Sequence, residues 1–182
     1  RRSKWDEKRH VFVESSPSEL SRNFRDVVSQ EPHTYVPLFL KLSYEHKINK
    51  HFLYGLLGGI KDLEEISDSL LSDIEVILLN HIDSESYDSL YHFFTIIEKH
   101  PEVNWSISVL ERLKDYLKKT KLDTLDKFSK IENLEDYARQ SYSTLRGYGI
   151  HALDKLIIAS PNSIPYFKDT IYSLAADRNN YV

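Results

Sequence analysis

The sequence contains neither cysteine nor methionine among its 182 residues. Without cysteine the chain forms no disulfide bonds and has no thiolate nucleophile or ligand, and it fits a reducing compartment such as the cytoplasm. Residue 1 is arginine, so the natural start is missing as well. We therefore expect a fragment, a processed product or a trimmed piece of a larger protein, or a sequence from which modified methionines were omitted.

Long apolar runs are also missing. No stretch reaches the roughly 18 apolar residues that a membrane-spanning helix needs, and residues 1–6 lack the apolar core of a signal peptide. The chain has 24 Lys and Arg against 28 Asp and Glu, a net charge of −4, which is unlike that of a general nucleic-acid binder. We expect a cytoplasmic protein with no membrane partner.

Motifs for catalysis, cofactors and metals are absent too. The glycine run Gly55-Leu56-Leu57-Gly58-Gly59 lacks the Lys-Ser/Thr and the preceding strand of a phosphate loop, so helix packing explains it better. The eight histidines form neither His-x-x-x-His nor His-Glu-x-x-His, and no Gly-x-Ser-x-Gly occurs. We predict no catalytic, cofactor-binding or metal-binding residues, and a chain that is not an enzyme.

What the chain does contain is typical of a globular domain, with 41% hydrophobic and 29% charged residues. Charge is uneven along it. Residues 61–102 carry two lysines against eleven acidic side chains. We interpret this acidic stretch as a solvated face.

Apolar residues recur at helical spacing throughout the chain after residue 15. The stripes and their capping residues predict helices that begin at Ser16, after a break at Glu31-Pro32, and at Asn49, Asp68, Ser84 and Asn104, and further helices over 134–147, 149–159 and 164–176. Residues 1–15 are interpreted as an irregular basic lead-in and 120–132 as a connection. No segment alternates with period two, so a sheet is not expected.

The helix starts at Ser16, Asn49 and Ser84 are 33 and 35 residues apart. This period is typical of helix-pair repeats of the HEAT or TPR size. We predict an all-α fold, an α-solenoid of antiparallel helix pairs of the HEAT/armadillo kind, with residues 16–182 as a single repeat domain.

An Arg-Gly pair lies inside the predicted helical pattern near residue 147. Glycine is about 1 kcal/mol less favourable than alanine in a helix, so Gly147 and Gly149 indicate that another backbone passes close by, as in stacked helices. Arg146 is interpreted either as a buried side chain that binds carbonyls or a carboxylate, or as a partner contact. With Tyr142 and Tyr148, whose side chains suit recognition surfaces, Arg146 and Gly147 are the candidate structural or interaction residues.

Three segments carry a resemblance to a known family. Tyr142-Ser143-Thr144-Leu145-Arg146-Gly147, followed by Ile150, Ala152 and Leu153, resembles an Asn-Ser-x-Arg-Gly-x-Ala-Leu segment. That segment belongs to the HEAT-like helical regions of large bacterial STAND-class ATPases, including the Avs anti-phage sensors. Residues 12–20 resemble the start of that region, and residues 164–182 look like a HEAT helix with its turn. Ser143 stands where the family has Asn, and Gly149 where it has Ala.

The resemblance implies a function as well as a fold. In that family the helical array follows an ATPase core and recognises a partner, often a foreign protein. It therefore implies a non-catalytic recognition or scaffolding module, the sensor part of a bacterial antiviral defence protein. It also implies a protein partner and a flanking ATPase domain in the parent chain.

Two alternatives stay open. One is a nucleic-acid-binding helical repeat that uses a basic strip of Lys114, Lys118, Lys119, Lys121, Lys127 and Lys130, against which the net negative charge argues. The other is a small all-α enzyme with no recognisable motif.

Overall fold

The computed structural model of the chain describes residues 4–6, 11–13, 17–46, 48–119 and 144–176. Eight α-helices form this part of the chain: α1 Pro17–Gln30, α2 Pro32–Glu45, α3 Lys50–Lys61, α4 Asp68–Asn80, α5 Tyr87–Lys99, α6 Ile107–Lys119, α7 Leu145–Ala159 and α8 Ile164–Ala175. A 3₁₀ turn, Pro161–Ser163, precedes α8. The predicted all-α class is confirmed. None of the described helices combines the length and the apolar character needed to cross a membrane.

Two short strands precede the helices. β1, Lys4–Asp6, pairs antiparallel with β2, Val11–Val13, and Trp5 lies opposite Phe12. This pairing was not expected, because residues 1–15 were interpreted as irregular. Three residues a strand are too few for a sheet that stands alone, so the helices still define the class.

Helices α1, α3, α4 and α8 begin within one residue of the predicted starts and α2 begins at the predicted break, whereas α5 and α6 begin later than predicted. Asn49 caps α3, where its side-chain oxygen accepts the N–H of His51 at 3.0 Å. The predicted start of α5 at Ser84 was wrong, because Asp83 Oδ1 accepts the N–H of Glu85 at 2.9 Å and holds a turn there. The cap is Ser86, two residues later.

The helix expected from Asn104 begins at Ile107 instead. The buried Trp105 explains the delay: its N–H bonds the Val103 carbonyl at 2.8 Å, and its indole Nε1 donates to the His100 carbonyl at 3.1 Å. These bonds keep residues 103–105 in a turn. The helical pattern in the sequence therefore predicts a start for α6 that lies before its first residue, Ile107.

The predicted break between helices at residue 148 was also wrong. α7 runs without interruption from Leu145 to Ala159 and includes both Gly147 and Gly149. Its N-cap is Thr144, whose hydroxyl accepts the Gly147 N–H at 3.0 Å. The residues predicted as the first part of that helix and as the connection, 120–143, lie outside the described residues.

Residues 1–77 form one compact unit, the N-terminal unit. Within it α1 packs mainly on α3. A Cβ at Gly55 would lie 2.5 Å from the Ser21 carbonyl oxygen, and one at Gly59 would lie 2.8 Å from the Arg25 carbonyl oxygen. The glycine run therefore lets two helix backbones approach closely. Its interpretation as helix packing is confirmed.

Residues 78–182 form the second compact unit, the C-terminal unit. There α5 packs on α7, and α6 contacts α7 and α8. Phe93, Phe94 and Tyr116 are fully buried and meet edge to face, with ring centroids 5.0 Å apart for Phe93 and Tyr116. At Gly149 a Cβ would lie 2.7 Å from Leu117 Cδ2 and 3.1 Å from Phe94 Cζ. The expected close backbone was therefore wrong at Gly149, where the near neighbours are side chains. The single repeat domain predicted for residues 16–182 stays a prediction.

Candidate functional site

A surface groove in the N-terminal unit lies among α1, α2 and the start of α3. It has a volume of about 410 Å³, within the range of ligand pockets. Seven of its nine lining residues are apolar or aromatic, and the lining consists of Phe24, Tyr35, Leu38, Phe39, Leu42, His46, Ile48, Asn49 and Phe52. We call it the apolar groove.

Three aromatic rings, one from each helix, form its walls. The Phe24 ring of α1 meets Tyr35 of α2 edge-on, with centroids 6.1 Å apart, and Phe52 of α3 at 5.8 Å. Edge-to-face pairs of this kind add about 0.5–1.5 kcal/mol beyond the area that they bury. The three rings are only half-buried. The walls of the groove therefore contact one another and still keep apolar surface in water.

Helix α2 contributes most of that surface. Its Val36, Phe39 and Leu40 are buried, and they form the side of the helix that belongs to the core. Leu38 and Leu42 remain 43% and 39% exposed and line the groove. An amphipathic surface helix needs only one apolar stripe for its core, so the leucines of this second stripe are available to another molecule.

One end of the groove is polar. A second recess adjoins it, shares Ile48 and Asn49 with it, and is otherwise lined by Lys50 and His51. Lys50 is exposed and is the first residue of α3. The N-terminus of a helix carries partial positive charge, so this end of the groove is cationic.

The C-terminal unit has a smaller recess of about 250 Å³ between α7 and α8. It is lined by Ile150, Leu153, Asp154, Ile157, Ile171, Leu174 and Ala175. Among the described residues of this lining none is aromatic, in contrast to the apolar groove. The apolar groove is therefore the stronger candidate for a recognition site.

The predicted site residues lie elsewhere, at the beginning of α7 in the C-terminal unit. Arg146 is buried, with 8% of its surface exposed, and Gly147 is buried beside it. The Tyr148 ring packs edge-on against Tyr91, with centroids 4.8 Å apart. Tyr142 lies outside the described residues. The structure thus brings Arg146, Gly147 and Tyr148 together inside a packed region and gives them little free surface.

A polar cluster links α6 to α8 in the C-terminal unit. The Tyr166 hydroxyl donates to Glu111 Oε1 at 2.5 Å, and Lys114 Nζ donates to the same oxygen at 3.2 Å and lies 4.3 Å from the Tyr166 ring centroid. Burial and the neighbouring carboxylate raise the pKa of Tyr166. The hydrogen bonds from Tyr166 and Lys114 lower the pKa of Glu111. The cluster favours a protonated tyrosine and an ionised glutamate, which suits a structural link between α6 and α8.

The cluster also bears on the basic strip proposed for nucleic acid. Lys114, its first member, is engaged with Glu111 and Tyr166. Lys118 and Lys119 are exposed, and the other three lysines lie outside the described residues. Among the residues that can be placed, no group of three or more His, Asp or Glu side chains could hold a metal ion.

Comparison of the chain with protein-family models, curated proteins and solved structures finds no match. The assignment of a site therefore depends on the geometry of the chain itself.

Sequence reasoning missed the apolar groove, although one signal pointed to it. Apolar or aromatic side chains occupy six of the eight positions 35–42, namely Tyr35, Val36, Leu38, Phe39, Leu40 and Leu42. One core-facing stripe needs about three such positions in every seven. The surplus on α2 predicts a second apolar face, but only the placement of α1 and α3 decides that this face lines a groove.

Proposed function

We propose that this chain is a non-catalytic protein-recognition or scaffolding module that contacts its partner through the apolar groove. The observation that supports the proposal is the open groove itself, with Leu38 and Leu42 exposed along one side of it. Burial of a leucine side chain is favourable by about 1.5–3 kcal/mol. A partner that covers this surface therefore gains free energy without any change in the fold.

The finer proposal is a helix-pair solenoid of the HEAT kind from a bacterial STAND-class defence ATPase, with a cytoplasmic location and a flanking ATPase domain. Its support is the resemblance of the segments around Arg146 and residues 12–20, and the packing of α1 on α3. In a helix-pair array, first helices of successive repeats stack in this way. The complete parent sequence tests the proposal, which requires a nucleotide-binding domain upstream of residue 1.

The two alternatives have weaker support. An enzyme needs a nucleophile or paired acid and base in a cleft, whereas the apolar groove offers His46 and Asn49 as its polar lining. A nucleic-acid binder needs phosphate contacts and a steep salt dependence, and Lys114 of the basic strip is already engaged. A filter-binding titration with DNA and RNA at two salt concentrations distinguishes that alternative.

A selection from a displayed library of random 16-residue peptides tests the groove as a recognition site. The selection is run in parallel on the wild-type chain, on Leu38→Glu and on Ile158→Glu, a matched control because Ile158 is 66% exposed and lies on α7 of the other unit. We expect the same peptide families to be enriched on the wild type and on Ile158→Glu, and to be lost on Leu38→Glu.

Enrichment of the same families on wild type and on Leu38→Glu would contradict the proposal. So would a failure to enrich any peptide on the wild type. Circular dichroism of each variant checks that the helical fold is kept. Leu42→Glu serves as a second groove variant if Leu38→Glu unfolds, since Leu42 lines the same groove and is 39% exposed.

A further inference from the structure

The apolar groove and the recess beside it form one continuous surface of mixed character. They share Ile48 and Asn49, so a molecule that lies along the groove reaches the recess without leaving the protein. Apart from His46, the groove lining up to Ile48 is apolar and aromatic. Beyond Asn49 it consists of Lys50 and His51. A ligand that matches both parts has to be amphipathic along its length.

Among the described residues that line the recess end, the charged side chain is positive. The exposed Lys50 carries a full positive charge, and the first turn of α3 adds the partial positive charge of a helix N-terminus. Among the described residues that line the two recesses, none is a carboxylate, and the exposed Glu45 is outside both linings. The complementary group on a ligand is therefore anionic.

The shape of the groove favours a helix as the ligand. Tyr35, Leu38 and Leu42 of α2 line it at positions i, i+3 and i+7. Seven residues of helix span about 10.5 Å. An amphipathic helix with apolar side chains at the same spacing lays two turns along such a surface, as peptide helices do in other apolar grooves.

A small lipid with an apolar tail and a carboxylate shares this chemistry but fits the shape less well. Pockets for small molecules bury most of the surface of their ligand. Leu38 and Leu42 are about two-fifths exposed, so the groove is open along α2 and would leave that side of a small ligand in water. When the ligand is a segment of a partner protein, the rest of that protein can cover the open side of the groove.

We infer that the apolar groove binds an amphipathic helical segment of a partner protein that carries acidic residues at one end. Its apolar side chains lie against Tyr35, Leu38 and Leu42, and its carboxylates lie against Lys50 and the first turn of α3. This inference rests on the proposed recognition function and specifies the partner. The chain has a net charge of −4, so a preference for acidic peptides has to come from this local cationic end.

The test uses a peptide enriched on the wild-type chain in the selection described above. Its affinity is measured by fluorescence anisotropy at low salt, beside a copy in which every Asp and Glu is replaced by Lys. We expect the enriched peptides to place acidic residues at one end of an apolar helical pattern. The Lys copy should bind about threefold to tenfold more weakly, since each exposed charge pair contributes a modest free energy.

Charge reversal on the protein completes the test. Lys50→Glu should weaken binding of the acidic peptide by about tenfold and strengthen binding of the Lys copy. Lys155→Glu, an equally exposed position on α7, should leave both affinities unchanged. Equal binding of the two peptides, or no effect of Lys50→Glu, would overturn the acidic-partner inference. In that case loss of binding on Leu38→Glu would still support apolar recognition, so the two proposals fail separately.

Amide hydrogen exchange gives a second readout that needs no variant. The bound acidic peptide should slow exchange in α2 and in the first turn of α3, and leave α7 unchanged. Protection confined to residues 78–176 would overturn the inference. Binding of oleate with the same protection pattern, and with no peptide enriched, would assign the groove to a small lipid and overturn it as well.

Discussion

The contact between α1 and α3 and the contact between α5 and α7 solve the same packing problem in different ways. In the N-terminal unit, Gly55 and Gly59 remove side chains so that two backbones approach. In the C-terminal unit, α5 contributes the large rings of Phe93 and Phe94 to the core. One contact is therefore sensitive to an atom added at Gly55 or Gly59 and the other to the loss of large side chains, since cores are packed to near-crystalline density.

The two units also differ in how deeply these sets of aromatic side chains are buried. Phe93, Phe94 and Tyr116 of the C-terminal unit are fully buried. Phe24, Tyr35 and Phe52 of the N-terminal unit are half-buried and line the apolar groove. The first three rings stabilise the core of their unit, whereas the other three keep surface that is available to a partner.

The largest effect is expected from the loss of a buried ring. Phe94→Ala should lower the free energy of unfolding by about 3–5 kcal/mol, because it leaves a cavity next to Phe93 and Tyr116. Urea denaturation followed by circular dichroism measures this change. Tyr172→Ala is the control, since Tyr172 is 63% exposed and should change stability by less than about 0.5 kcal/mol.

An added methyl group tests the glycine contact. Gly59→Ala would place a Cβ 2.6 Å from Val28 Cβ and 2.8 Å from the Arg25 carbonyl oxygen. Overpacking of about 1–3 kcal/mol should exceed the helix-propensity gain of about 1 kcal/mol, so the melting temperature should fall.

Gly58→Ala is the matched control in the same helix. Its nearest neighbour is Arg25 Cδ at 3.0 Å, part of a flexible side chain that can move. The melting temperature should stay constant or rise through the gain in helix propensity. If Gly59→Ala were as stable as Gly58→Ala, close backbone contact would not be what distinguishes the two units.

Removal of a buried hydroxyl should stabilise the protein, in contrast to the changes at Phe94 and Gly59. Thr170 on α8 is 1% exposed, and its hydroxyl makes no hydrogen bond within the part of the chain that the structure describes. Thr170→Val keeps the shape and should raise the free energy of unfolding by about 1 kcal/mol. Thr95→Val is the comparison, since the Thr95 hydroxyl donates to the Tyr91 carbonyl at 2.9 Å. A loss of stability in Thr170→Val would show that its hydroxyl has a partner.

The smallest effect concerns the polar link between α6 and α8. The pKa of Glu111 is lowered in the folded chain, so its contribution to stability is present above the ordinary glutamate pKa of about 4.3 and is lost as the pH falls through the folded pKa. The difference in melting temperature between wild type and Glu111→Gln should therefore be small at neutral pH and shrink in acid. A difference that grows in acid would contradict the sign of this shift.

Local structure was largely predictable from the residues. The stripe of apolar residues after Asn49, together with the capping side chain of Asn49, was enough to predict α3 and its first residue. Errors occurred where a nearby bond replaced a helical one, as at Asp83 and Trp105. A break between helices was also wrongly predicted at residue 148. The helix is continuous there, and the neighbouring Gly149 packs against Phe94 and Leu117.

The candidate site was not predictable to the same degree. Arg146 and Gly147 were predicted as site residues because an Arg-Gly pair is unusual in a helix, yet both are buried in the C-terminal unit. Leu38 and Leu42 are ordinary helical residues, and only their exposure beside Phe24 and Phe52 distinguishes them. A single sequence reports the types of residue but not which of them remain uncovered.

By itself the sequence determined that the protein is helical, where most helices begin, and that its glycine run serves packing. Helix formation and helix starts depend on hydrogen bonds and side-chain contacts within about four residues along the chain, and the glycine run indicates packing because glycine is otherwise unfavourable inside a helix. The tertiary structure alone decided that Gly55 and Gly59 meet the backbone of α1, whereas Gly149 meets side chains. It also decided that the second apolar face of α2 lines a groove. Both outcomes depend on which distant helices pack together, and residues close in sequence do not determine that choice.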